Sequence, residues 1–109
     1  MAQQPGNQVP LFFKLCSDHL SIEAIPRKPL IIDLNGIREH VPQEHEILMW
    51  TPHFVVLRNS NGHEITLRKD GRMVVRKAAN EEDARHAATQ IMSLASNGFK
   101  LNRENSGVL

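Results

Sequence analysis

With 109 residues, 40% of them hydrophobic and 23% charged, and a formal net charge of +1, the chain is sized for one domain around one core and is too small to bury a substrate deeply by itself. The near-neutral balance excludes a strongly basic nucleic-acid binder, leaving any such role to local clustering, and no apolar run approaches the ~18 residues of a membrane span. The Gln-rich, uncharged stretch Met1 to Pro10 lacks the basic start and apolar core of a secretory signal, and the single cysteine, Cys16, excludes an internal disulfide, so the expected address is cytoplasmic.

In chain order, residues 1–8 read as a disordered tail, residues 9–101 as a single domain and residues 102–109 as a flexible tail. Val9 to Cys16 is a dense apolar run that predicts a strand, and the alternation of Leu20, Ile22 and Ala24 predicts a second strand or its continuation. Pro26 and Pro29 bracket a break. Leu30 to Ile32 is extended, after which Asp33 is placed to cap a short helix that turns Leu34, Ile37 and Val41 inward until Pro42 stops it. Glu46 to Trp50 predicts another strand, running through Thr51 and Pro52 into the stretch that carries most of the information.

From His53 to Gly98 the residues spell two β-hairpins and a capped amphipathic helix. Ser60-Asn61-Gly62 and Lys69-Asp70-Gly71 read as three-residue loops ending in glycine, the residue that most easily takes the left-handed conformation such hairpins need. A two-residue Asp70-Gly71 loop would put Leu67 beside Val74 and Ile65 beside Arg76, mixing apolar and charged groups on one face. The three-residue loops instead pair Leu67 with Met73, Ile65 with Val75, Leu57 with Ile65 and Val55 with Leu67, which makes one face wholly apolar. The other face then holds Phe54, Val56, Arg58, Glu64, Thr66, Arg68, Arg72, Val74 and Arg76: four arginines and one acid around a small apolar centre.

The next segment is suited to cover the apolar face. Asn80 can cap a helix, with Asp83 three residues on in a capping-box-like position and Glu81 and Glu82 favourably placed at the positive end of the dipole. Ala84, Ala87, Ala88, Ile91, Leu94 and Ala95 recur at helical spacing as one stripe, and the small residues early in it allow close approach to a sheet. Gly98 after Asn97 predicts a left-handed stop, with Phe99 folding back on the last turn. The fold class expected is α+β: an antiparallel sheet with a long C-terminal helix on one face and a short helix upstream.

The order strand, short helix, strands, then "EITLRKDGRMVVRKAANEEDARHAATQIMSLASNGFKL" resembles one half-repeat of the TATA-box-binding protein fold, in which a strand ends in a Ser/Asp-Gly-Lys/Arg turn and leads to a glutamate-rich helix start. "IDLNGIREHVP" resembles the first helix of that repeat and "PHFVVLR" its next strand, so the likeness runs from about residue 9 to residue 101. The resemblance implies a sheet face that meets nucleic acid, and with a single repeat present a comparable saddle needs a homodimer. That family drives wedge phenylalanines between base steps; here Trp50 or Thr51, and Arg68, stand in those places. The "LR…EITL…DGR" pattern is also similar to the C-terminal accessory segment of adenylyltransferases that activate sulfur-carrier proteins. Neither resemblance supplies catalytic residues.

No catalytic signature emerges from the residues themselves. Ser17, Asp18 and His19 are adjacent, but triads assemble from distant segments, and Cys16 in an apolar strand reads as a buried inert thiol. Six histidines are present. Cys16 and His19 have ligand-like spacing and His40, Glu44 and His45 cluster around Pro42, yet no second Cys/His pair completes a zinc pattern. His53 and His63 sit at hairpin ends, where histidine can serve as a pH-responsive group. "NSNGHE" and "KDGR" are hairpin turns by their flanks and not phosphate loops. With one Trp, four Phe and no Tyr there is no multi-base stacking platform.

The expectation is therefore a non-enzymatic binding module without cofactor or metal. Its candidate surface is Phe54, Val56, Arg58, Arg68, Arg72, Val74 and Arg76, engaging nucleic acid as a homodimer, or alternatively a protein partner, as a regulator or inhibitor of a larger assembly would. The bland reading of the same residues is the solvated face of a half-covered sheet.

Overall fold

The computed structural model describes residues 10–15 and 21–100. Val9, Cys16, His19, Leu20 and both tails lie outside the described residues, and with them the Cys16/His19 pair and the Ser17-Asp18-His19 run.

Among the described residues, eight strands and two α-helices follow one another as β1 (Leu11–Leu15), β2 (Ser21–Pro26), β3 (Ile31–Ile32), α1 (Leu34–Ile37), β4 (Glu46–Trp50), β5 (Phe54–Arg58), β6 (Glu64–Arg68), β7 (Met73–Arg76), α2 (Glu81–Ala95) and β8 (Phe99–Lys100). A six-stranded antiparallel sheet has the order β1-β2-β7-β6-β5-β4, and a small second sheet pairs β3 with β8. This is the α+β architecture expected, with α2 packed on one face of the large sheet and the short α1 upstream.

Both hairpin registers follow from their turns. Leu57 opposes Ile65 and Val55 opposes Leu67 across β5 and β6; Ile65 opposes Val75 and Leu67 opposes Met73 across β6 and β7. Gly62 and Gly71 take positive φ of 86° and 91°, and each closes its turn by donating its N–H to the carbonyl three residues back, Asn59 and Arg68 respectively. The Asn59 side chain fixes the first turn further by accepting from Asn61 N (3.0 Å) and His63 N (2.9 Å). The His63 ring is buried against it, with Nδ1 3.2 Å from Asn59 Nδ2, so this histidine serves the hairpin.

The residues this register turns to one side form the core. Val55, Leu57, Ile65, Leu67, Met73 and Val75 are each 1% exposed or less, and they meet Ala84, Ala87, Ala88, Ile91, Met92, Leu94 and Ala95 of α2 in one contiguous cluster. Each large aliphatic side chain sealed there contributes about 1.5–3 kcal/mol. Helix α2 starts as its residues require, with Asn80 Oδ1 accepting from Asp83 N at 2.8 Å and Glu81, Glu82 and Asp83 in the first turn.

Two terminal expectations are corrected. Gly98 is not left-handed: α2 runs into a 3-10 turn over Ser96–Gly98, and only Gly62 and Gly71 among the described glycines have positive φ. Its smallness matters because a Cβ there would lie 2.5 Å from Ile37 Cγ2 and 2.8 Å from the Asp33 carbonyl oxygen, where α1 crosses the end of α2. Phe99 pairs with Ile32 in the small sheet, and its side chain packs against the core. Asp33 stands at the N-cap of α1, but its side chain makes no capping bond; its N–H donates to Gly98 O (2.7 Å), so β3–β8 pairing, not capping, sets where α1 begins. No helix among the described residues is long and apolar enough to cross a membrane.

Candidate functional site: the open sheet face

Because side chains alternate along a strand, the register that seals one face of the large sheet places every candidate residue on the other. All seven lie there, in three rows. Phe54 opposes Arg68, whose N–H donates to Arg72 O across the second turn. The middle row crosses the whole sheet through Lys14, Glu23, Val74, Thr66, Val56 and Met49. The third row runs Ser21, Arg76, Glu64, Arg58 and Glu46. Both helices belong to the opposite side, where Leu34 and Ile37 of α1 join the core formed with α2, so no described element covers these rows.

The electrostatics differ from the sequence expectation of four arginines against one acid. Arg58 donates to Glu46 Oε1 (2.8 Å) and to Glu64 Oε2 (3.4 Å). Lys77 Nζ donates to the same Glu64 oxygen at 3.1 Å, and this bond, helped by Arg58, holds the Glu64 carboxyl below its ordinary range. Arg68 donates to Asp70 Oδ2 (2.6 Å), and Arg72 lies 3.9 Å from Glu23 Oε2. Arg76 alone of the four has no carboxylate partner among the described residues. Glu23 and Glu46 went unseen in sequence because they come from strands far along the chain; the β2–β7 and β4–β5 registers were the missing signal.

Between the charged rows lies an apolar stripe of Val74, Val56 and Met49, the last 50% exposed, with the Thr66 methyl between the valines. At the end of the face beside the Lys69-Asp70-Gly71 turn, a groove of about 290 Å³ is lined by Ile25, Pro26, Arg27, Lys28, Leu30 and Arg72, among others. Its walls are locked together: Ile32 N donates to Lys69 O (2.8 Å), and a Cβ on Gly71 would lie 2.8 Å from Pro26 Cγ and 2.9 Å from Leu30 Cδ1.

Trp50, placed by the resemblance near a wedge position, opposes Val55 and faces the helix side, with the Arg38 guanidinium 5.1 Å from its ring centroid. Arg68 is on the open face but ion-paired. Of the histidines considered for metal, His40 lies 3.9 Å from Glu39, and no group of three or more His, Cys, Asp or Glu side chains among the described residues is arranged to hold an ion. No protein-family model, curated protein or solved structure matches this chain.

Proposed function

We propose that this chain is a binding module that holds a protein partner across its open sheet face. One observation carries the reading: three of the four face arginines already have a carboxylate, so the face is an apolar stripe between charge-compensated rows and not a surplus of positive charge. An apolar centre within a polar rim, with arginine and an aromatic at its margin, is the make-up of protein interfaces. A nucleic-acid surface gains most of its affinity from uncompensated cations displacing counterions. The resemblance of the sequence to the TATA-box-binding half-repeat points to an exposed sheet as the working surface. An internal ion pair must be broken before its arginine can serve a phosphate.

A second reading, nucleic acid, is favoured by one end of the face, where Arg27, Lys28 and Arg72 line the groove; the Asp70 beside them is already committed to Arg68 and to the Arg72 N–H, and Glu23 lies 3.9 Å from Arg72.

The two readings separate in one pair of experiments. A photoreactive side chain placed at Thr66 should give a discrete protein adduct in cells, and the same group at the exposed helix position Gln90 should give none. Anisotropy with generic DNA and RNA should show only weak binding that vanishes at moderate salt. Tight binding lost in an Arg72→Ala/Arg76→Ala double variant, with no adduct at Thr66, would replace the protein reading by the nucleic-acid one.

A further inference from the structure

We infer that two copies of this chain join edge to edge through β1, in antiparallel register with Phe13 on the two-fold axis. The interface lies at the sheet margin and is separate from the open face, so either assignment can fail without the other.

The first argument is coverage. Helix α2 packs against β2, β6 and β7, and one helix about 10 Å wide spans only two or three strands spaced ~4.8 Å apart. The core side of β1 therefore lies at the margin of the helix and is only partly covered by it. Leu15 is 52% exposed there and Leu11 and Phe13 are half-buried, although all three lie on the core side, opposite Ile22, Pro26 and Ala24. A second copy brings an identical strip alongside, and Leu11, Phe13 and Leu15 of both chains form one apolar band between the two α2 helices. Arg85 of α2 stands 4.8 Å from the Phe13 ring centroid, but it is already paired with Glu81 at 3.2 Å, so the twofold axis does not bring two uncompensated guanidinium groups together.

The second argument is the backbone. Arg27 N donates to Pro10 O (3.0 Å), which makes Pro10, Phe12 and Lys14 the residues whose main chain bonds inward to β2. The N–H and C=O groups of Leu11, Phe13 and Leu15 consequently point outward, unpaired among the described residues, along a regular five-residue edge with no proline inside it. Such an edge is a template for another strand.

The third argument is self-complementarity, which a twofold contact demands. With Phe13 on the axis, Phe13 meets its own copy, Leu11 meets Leu15 and Phe12 meets Lys14, so every pair is apolar with apolar or aromatic with cation. An axis through Lys14 would oppose two like charges, and one through Phe12 would leave part of the strand unmatched. The other margin of the sheet offers no equivalent: β4 slips register between Ile47 and Met49, a bulge that breaks the even spacing of outward groups.

Size-exclusion chromatography with light scattering on the full chain, from low to high micromolar, should show a concentration-dependent doubling of mass. Leu15→Pro removes one outward N–H without touching the β2 ladder, as edge positions tolerate, and should abolish the doubled mass while far-UV dichroism and Thr66 adduct formation persist. Phe13→Cys in a Cys16→Ser background should cross-link two chains on mild oxidation, because Cα atoms of a hydrogen-bonded pair about 5.5 Å apart suit a disulfide. That result decides the matter even if Leu15→Pro fails to fold. A monomer at every concentration with no cross-link overturns the inference, as does a dimer that survives Leu15→Pro and does not cross-link through position 13.

Discussion

The two faces of β5, β6 and β7 are built from alternate residues of the same three strands, yet one is sealed by a helix and the other is covered by no described element. Val55, Leu57, Ile65, Leu67, Met73 and Val75 are fixed by contact with a helix, whereas Val56, Thr66 and Val74 have the same backbone and no cover among the described residues. The contrast separates what a strand's sequence dictates from what its neighbours dictate. Alternation assigns a side chain to a face; only the covering element makes that face a core.

Chemical denaturation of paired variants tests the contrast most strongly where a charge is moved by one position. Val55→Lys should cost more than about 4 kcal/mol, enough to unfold the chain, because the ammonium has no partner in the core. Val56→Lys, one residue along, should cost under about 1 kcal/mol, since the new side chain extends into water; equal losses would mean that the open face is covered. The same pairing with truncations is gentler: Leu67→Ala should cost about 2–5 kcal/mol and Thr66→Ala within about 0.5 kcal/mol.

The two hairpin turns sharpen the comparison. Both glycines have the same backbone sign, but a Cβ on Gly62 meets nothing within 4 Å while one on Gly71 meets Pro26 and Leu30. Gly62→Ala should cost the left-handed strain alone, about 1–2 kcal/mol. Gly71→Ala should add overpacking, for a total of about 2–4 kcal/mol, visible as a lower denaturation midpoint with unchanged slope. Helix α2, the cover itself, should lose about 1 kcal/mol in Asn80→Ala through its cap.

The smallest effect lies on the open face and is a matter of pH. Lys77 and Arg58 lower the pKa of Glu64, so the folded chain binds that proton less readily than the unfolded one. The stabilisation is full above the ordinary carboxylate range and is lost as pH falls through the lowered value. Glu64→Gln should therefore show a shallower acid limb than the parent chain in stability measured from pH 6 downward. An unchanged limb would mean that the Glu46–Arg58–Glu64–Lys77 cluster does not hold in solution.

Local chemistry made much of this fold legible. Turn length set two registers, those registers set the core, and the Asn80 cap with the alanine stripe identified the covering helix. What stayed hidden was tertiary. Glu23 and Glu46 neutralise arginines far from them in sequence, so the ion-paired character of the face required the strand order. Gly98 reads as a helix stop by position alone, and its real constraint is the approach of Ile37 and Asp33 from an earlier segment. Asp33 makes no side-chain cap, and its backbone is held instead by the bond from its N–H to the Gly98 carbonyl, beside the Ile32–Phe99 pairing.

The irregularity in β4 has a consequence for how large an assembly of this chain can grow. A sheet extends into a filament only if each subunit offers two mutually acceptable margins, and here one margin is straight while its opposite is kinked. Pairing of two copies through β1, as inferred above, would therefore end after a single addition and give a finite particle, not a fibre.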